Sequence, residues 1–182
     1  MRRVGRVSMK NKCVRAVWNV VWLFLFRPFA TRLFWPWRWM LLRMFGARVH
    51  FKAHVYASAR IWAPWNLEIH EGGCIGAHVI CYNQDKVCIE ANAVVSQYAC
   101  LCTASHDIKN EISSCSGLIT APIWVKTHAW IGMRAYVGMG VVIGASSVVG
   151  ATSSVFKDVE DGVVVGGNPA MFIKKRISER VA

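Results

Sequence analysis

From Val125 the chain keeps a six-residue beat: VKTHAW, IGMRAY, VGMGVV, IGASSV, VGATSS and then VFKDVE. An aliphatic residue heads each hexad (Val125, Ile131, Val137, Ile143, Val149, Val155), often with glycine behind it and a small or aliphatic residue four places on. An α-helix drifts out of phase with such a pattern, because its period is about 3.6 residues, and a long flat strand has no need of glycine at a fixed offset. A short strand followed by a tight turn, repeated, satisfies both observations. The head residue points inward, and glycine admits the turn where a Cβ would clash. Six-residue repeats of this kind mark parallel β-helices.

The beat runs backward with slips. Val49, Val55, Ile61 and Leu67 are in step; a two-residue shift gives Ile69, Ile75 and Cys81, and another gives Ile89, Val95 and Leu101. From Leu101 to Val125 is 24 residues, four whole hexads, so residues 107–120 can leave the coil and rejoin it in phase. About two thirds of the chain is therefore one solenoid, whose units bury apolar surface only by stacking on their neighbours. A β-sandwich with accidental spacing is the alternative, and six consecutive in-phase heads argue against it.

The charge is segregated. The net charge is +12, yet residues 1–67 hold 13 Lys and Arg and no acid, whereas residues 68–182 hold 9 Lys and Arg against 10 acids. The same N-terminal part carries Trp18, Trp22, Trp35, Trp37 and Trp39, five of the nine tryptophans. Basic residues among aromatics suit nucleic acid or an anionic membrane surface. No nucleic-acid-binding motif is present, so the membrane is the expected partner and nucleic acid is not. Ala16–Phe26 (AVWNVVWLFLF) is an apolar stretch of eleven residues between Arg15 and Arg27, too short for a bilayer, which needs about 20. No small-x-small cleavage site follows it, which argues against a secretory signal. A second stretch, Trp35–Phe45, is interrupted by Arg38 and Arg43. The expectation is one or two interfacial helices with Trp at headgroup depth. The alternative is that these aromatics pack on the end of the β-helix or on a neighbouring subunit, and both can hold.

The seven cysteines (13, 74, 81, 88, 100, 102, 115) show no paired CxxC and no zinc-finger spacing with His. They imply a reduced, cytosolic protein. Cys74, Cys81 and Cys88 fall within the beat, where a small apolar thiol fits tight layers. Of the six histidines, only His106 is immediately followed by a carboxylate, Asp107, and it stands where the regular coil gives way to a polar loop. Imidazole titrates near neutral pH and can take a proton from a hydroxyl as that hydroxyl attacks. A bare His-Asp pair is more often a surface turn; its position in TASHD at the mouth of an excursion favours chemistry. Asn83 and Asp85 lie at a slip in the beat, either as hydrogen-bonding groups for a sugar or as polar turn residues.

IGMRAYVGMGVVIGASSVVGATSSVFKDV followed by VVVGGNPA resembles the left-handed β-helix acyltransferases of the hexapeptide family. WAPWNLEI, CYNQDKVCI, SQYACLCTASHD and APIWVKTHAWIG resemble one branch of it, the colanic acid biosynthesis acetyltransferases, across roughly residues 46–175. The resemblance implies a left-handed, three-sided coil, the exception to the right-handed crossover rule. It also implies acetyl-CoA as cosubstrate and a homotrimer with sites between subunits. In that family the His matching His106 is the catalytic base, and the stretch holding Asn83 and Asp85 contributes to the acceptor site, where Asp107 is also expected. Trp130, Gly132, Met133, Ala151 and Lys157 line the coenzyme groove by the same match, with Lys174 near the phosphate end. Alternatively, Trp130 covers a coil face and Lys174–Arg176 is a solvated helix end. Lys126, Met133 and Phe156 depart from the family pattern.

The expected organisation is a basic aromatic helical extension (1–45), an all-β left-handed parallel β-helix (46–168) with its excursion at 107–120, and a C-terminal cap helix (169–182). The expected activity is acetyl-CoA-dependent O-acetylation of a sugar or lipid-linked saccharide for polysaccharide biosynthesis. The expected location is the cytoplasm, peripheral to the inner membrane. No metal is expected. Two rivals keep the fold: a γ-class carbonic anhydrase, which needs three histidines on zinc, and a non-catalytic scaffold.

Overall fold

The computed structural model describes residues 2–4 (backbone), 9–106 and 117–176. The hexads form three parallel sheets. The first face stacks Arg48–Val49, Leu67–Ile69, Val87–Ile89, Ile123–Val125 and Val142–Ile143 in register. The second begins with His54–Val55, Cys74–Ile75, Val94–Val95, Trp130–Ile131, Val148–Val149 and Val163–Gly166. The third stacks Arg60–Ile61, Ile80–Tyr82, Cys100–Cys102, Tyr136–Val137 and Ser154–Val155. Each head predicted from the beat is buried, so the core is a column of aliphatic layers. Of the cysteines placed in those layers, only Cys81 is a head, although Cys88 is buried as well. Cys74 and Cys88 instead occupy the position before a head, which the two-residue alternation of a strand turns outward.

The corners differ. Between the second and third faces the chain turns tightly through His78, Tyr98, Arg134 and Thr152, with φ of 57°, 62°, 58° and 60°. Between the third and first faces the turns of the early coils are replaced by insertions: Trp62–Asn66, Asn83–Lys86 and the excursion that leaves after Cys102. Both two-residue slips of the beat fall at this one corner.

A helix α1 (Met9–Val21) runs into a π-helical turn (Trp22–Phe26), and after a short 3-10 turn a helix α2 follows (Trp35–Met44). Their composition follows from the open end they cover. In the second coil the carbonyls of Ile69, Ile75, Val79 and Cys81 accept from the coil before, through the amides of His50, Tyr56, Arg60 and Trp62. The matching carbonyls of the first coil, Val49, Val55, Ala59 and Ile61, have no coil before them. Side chains that only donate take that role. Trp18 Nε1 donates to Ile61 O (2.7 Å), Trp22 Nε1 to Ala59 O (2.8 Å), Arg38 Nε to Val55 O (2.7 Å) and Arg43 Nε to Val49 O (2.7 Å). The Arg38 guanidinium is buried, which lowers its pKa from the ordinary value, and Nη1 also donates to Phe29 O and Thr31 O. At the far end the need reverses. The Val142 amide donates to Asp158 Oδ1 (2.8 Å) where Trp124, one coil earlier, donates to the Val141 carbonyl. Tryptophan and arginine at one end and aspartate at the other are a consequence of the chain direction.

The expected C-terminal cap helix is not what the described residues form. Met171–Lys175 is a strand, antiparallel to Val163–Gly166, and it extends the second face. Gly167, at φ 99°, lets the chain reverse after the last coil, and an antiparallel ladder then satisfies backbone groups that a helix would leave open at the edge. Residues 177–182 lie outside the described residues. No helix among the described residues is long and apolar enough to cross a membrane.

Candidate active site

The insertions at the third corner stack into a polar ledge. Asn66 Nδ2 donates to the carbonyls of Asn83 and Gln84 (3.1 and 2.8 Å), tying the first insertion to the second. The Asp85 amide donates to Thr103 Oγ1 (2.9 Å), tying the second to the third. From the third rises a hairpin of Ala104–His106 and Leu118–Thr120, in which His106 stands opposite Leu118 and Ala104 opposite Thr120. The backbone of Arg2–Val4 adds a strand to its outer edge. His106 is exposed on this hairpin. Asp107 and most of the excursion lie outside the described residues.

Two of the residues expected at the acceptor site, Asn83 and Asp85, are part of the ledge. Asn83 is fully buried, and both ends of its amide are spent on one residue: Oδ1 accepts from Ala63 N (2.9 Å) and Nδ2 donates to Ala63 O (2.7 Å). It locks the turn, with none of its side chain exposed. The two-residue slip leaves Ala63 without a backbone partner in the next coil, and Asn83 supplies one. Asp85 is half-buried; Oδ1 accepts from Lys86 N (2.7 Å) and Oδ2 from Thr120 Oγ1 (3.1 Å). Through Thr120 it pins the returning strand of the hairpin that carries His106. Thr120 is buried, and reading the sequence missed it. Its signal is faint: a threonine at the end of an excursion, where a hydroxyl can meet a carboxylate on the coil.

The predicted coenzyme residues gather elsewhere. Trp130 is half exposed on the outer side of the second face, its Nε1 donating to Ser96 Oγ (2.8 Å). Met133 and Ala151 are exposed at successive coils of the tight corner beside it. Gly132 is needed there for packing: a Cβ would lie 2.7 Å from both Ala151 N and Val149 O of the next coil. Lys157 is exposed after the last strand of the third face, and Lys174 is exposed on the closing hairpin. In one chain, then, Trp130, Met133 and Ala151 are on the second face and its tight corner, whereas Lys157 follows the third face, on the corner from which the His106 hairpin rises.

Burial pushes the Cys88 and Cys100 thiols up to about 11, with Glu68 and Cys102 as the next contributors respectively. Among the described residues the one cluster with three metal-binding side chains is Glu68, His70 and Cys88 on the first face, their donor atoms within 4.8 Å of one another. It is not the three-histidine set of the carbonic anhydrase alternative, and the Lys86 ammonium already sits 2.6 Å from Glu68 Oε2. A cavity of about 510 Å³ beside it includes none of the predicted site residues.

A three-sided column of hexads with a histidine-bearing hairpin thrown out at one corner is the architecture of the hexapeptide-repeat acyltransferases. No family model matches the chain. The "Putative colanic acid biosynthesis acetyltransferase WcaF" of Escherichia coli K12 is 34% identical over 149 residues, 80% of this chain and 79% of that protein. The hexapeptide-repeat acetyltransferase VCA0836 of Vibrio cholerae superposes with a TM-score of 0.82 at 26% identity, covering 96% of this chain and 97% of its own; it has also been solved with acetyl-CoA. A maltose O-acetyltransferase of Clostridium difficile 630 shares the fold at TM-score 0.85 and 22% identity, covering 97% and 94%. The chain belongs to the hexapeptide-repeat acetyltransferases, in the branch that includes WcaF, and shares their left-handed β-helix.

Proposed function

We propose that this protein is an O-acetyltransferase that moves an acetyl group from acetyl-CoA to a hydroxyl of a sugar or exopolysaccharide precursor, with His106 as general base. The observation that carries the reading is the hairpin: the coil is interrupted for one long excursion, and that excursion brings an imidazole to the surface beside a braced polar ledge. His106 takes the proton of the acceptor hydroxyl as its oxygen attacks the thioester carbonyl. The tetrahedral oxyanion is met by backbone N–H donors. Its collapse breaks the C–S bond, and the imidazolium returns the proton to the departing coenzyme A thiolate. In this reading transfer is direct, the acceptor oxygen attacking the thioester without a covalent acyl-enzyme.

Trp130, Met133, Ala151, Lys157 and Lys174 are the groups we assign to the coenzyme, and Asp107 to the acceptor. Trp130, Met133 and Ala151 lie on the second face and its tight corner, away from His106, so the reading needs a homotrimer in which one subunit's histidine faces its neighbour's groove. The acceptor we favour is a lipid-linked saccharide on the cytoplasmic side of the inner membrane. Calorimetric titration with coenzyme A, followed by turnover of His106→Ala, tests this. One site per chain, with a loss of turnover of about 10²- to 10⁴-fold and intact coenzyme binding, is expected. A folded trimer that ignores coenzyme A, or a His106→Ala protein at full rate, overturns it.

A further inference from the structure

The cap accounts for only half of the apolar N-terminal stretch. Of Ala16–Phe26, the residues turned onto the coil are Trp18, Trp22 and Phe26, four apart along the helix and its π-helical turn. The other side of the same segment carries Val17, Val20 and Phe24, which are 56%, 58% and 64% exposed, together with Leu23 and Leu25. The loop to α2 adds Leu33, the most exposed large apolar side chain among the described residues, at 81%. Capping explains why tryptophan and arginine are here. It does not explain why the outward positions of a surface helix are valine, leucine and phenylalanine, since surfaces of this kind are seldom left to water.

Charge decides what fits them. Lys10 and Lys12 near the start of α1, and Arg27 and Arg32 in the loop after the π-helical turn, are exposed. Residues 1–67, which include the cap and the first coil, contain no carboxylate. A second copy of this face would bring cations against cations. An anionic lipid surface neutralises them while its acyl chains take the aliphatic side chains. We propose that the outer face of α1 and its π-helical turn is a docking surface for an anionic bilayer, holding the N-terminal end of the β-helix against the membrane. This deepens the lipid-linked acceptor reading above, but the binding itself does not depend on the acetyltransferase chemistry.

The test is co-sedimentation of the full chain with vesicles of equal parts phosphatidylglycerol and phosphatidylcholine, beside vesicles of phosphatidylcholine alone. The variant is Val20→Glu/Phe24→Glu, which leaves Trp18, Trp22, Arg38 and Arg43 in place. Binding that requires the anionic lipid, weakens with salt, and falls at least about tenfold in the variant is expected. Coenzyme A binding and thermal stability should be unchanged, which separates loss of docking from loss of fold or of active site. No binding by wild-type protein that binds coenzyme A overturns the proposal. So does a variant that binds vesicles as well as wild type, or one whose sedimentation shows a smaller assembly, because the face then packs on another copy.

Discussion

Replacing Thr120 by valine removes one hydroxyl and almost nothing else. The side chain is buried, so the near-isosteric methyl is accommodated, and the hydrogen bond lost is the 3.1 Å contact to Asp85 Oδ2. A hydrogen bond to a charged acceptor contributes about 1.5–3 kcal/mol, and the half exposure of Asp85 brings this toward about 1.5 kcal/mol. Thr120 lies opposite Ala104 in the hairpin and His106 lies two residues further on. If that energy holds the hairpin in its working position, releasing it lowers turnover by about tenfold, since about 1.4 kcal/mol corresponds to a factor of ten. Trp130, Met133 and Ala151 sit on the second face and its tight corner, so the KM for acetyl-CoA should not move. Steady-state kinetics on Thr120→Val with Thr120→Ser as control decides the matter: the serine variant, which keeps the hydroxyl, should recover most of the rate. Wild-type turnover in the valine variant, or a change confined to the KM for acetyl-CoA, would refute the argument that Asp85 and Thr120 position the base.

Trp18→Phe keeps an aromatic ring in the cap but leaves the Ile61 carbonyl without its donor; denaturant unfolding at fixed protein concentration should show a loss of about 1–3 kcal/mol, and Trp18→Ala more, about 3–5. Gly132→Ala should cost about 1–3 kcal/mol through the clash with Val149 O and Ala151 N; unchanged stability with weakened coenzyme A binding would mean the glycine serves the ligand instead. The Lys86 ammonium, with smaller help from His70 and against the opposing effect of burial, holds the Glu68 carboxyl below its usual range. A depressed carboxylate stabilises the fold above the unfolded pKa and loses that contribution as pH falls through the folded value. The stability gap between wild type and Lys86→Met, no more than about 1 kcal/mol at neutral pH, should therefore close on acidification, and a gap that widens would contradict the pairing.

The hexad beat determined the fold by itself, down to which residue of each turn enters the core, because a two-residue strand and a tight corner leave one inward position per face. It also located His106, since an excursion that preserves phase announces itself as whole hexads. What it could not decide was how the irregular residues are spent. Asn83 and Asp85 are polar residues at a slip whether they face a sugar or lock a corner. Only the stacking of three insertions on one edge showed that Asn83 is consumed by Ala63 and that Asp85 reaches Thr120, 35 residues on. The run at Met171–Lys175 is as compatible with a helix as with a strand in isolation, and the open edge of the second face makes it a strand. The tryptophans and arginines of the extension carry the same ambiguity on a larger scale. Their donors meet the first coil only because parallel coils leave those carbonyls with no partner at the N-terminal end, a fact about the stack that no local pattern contains.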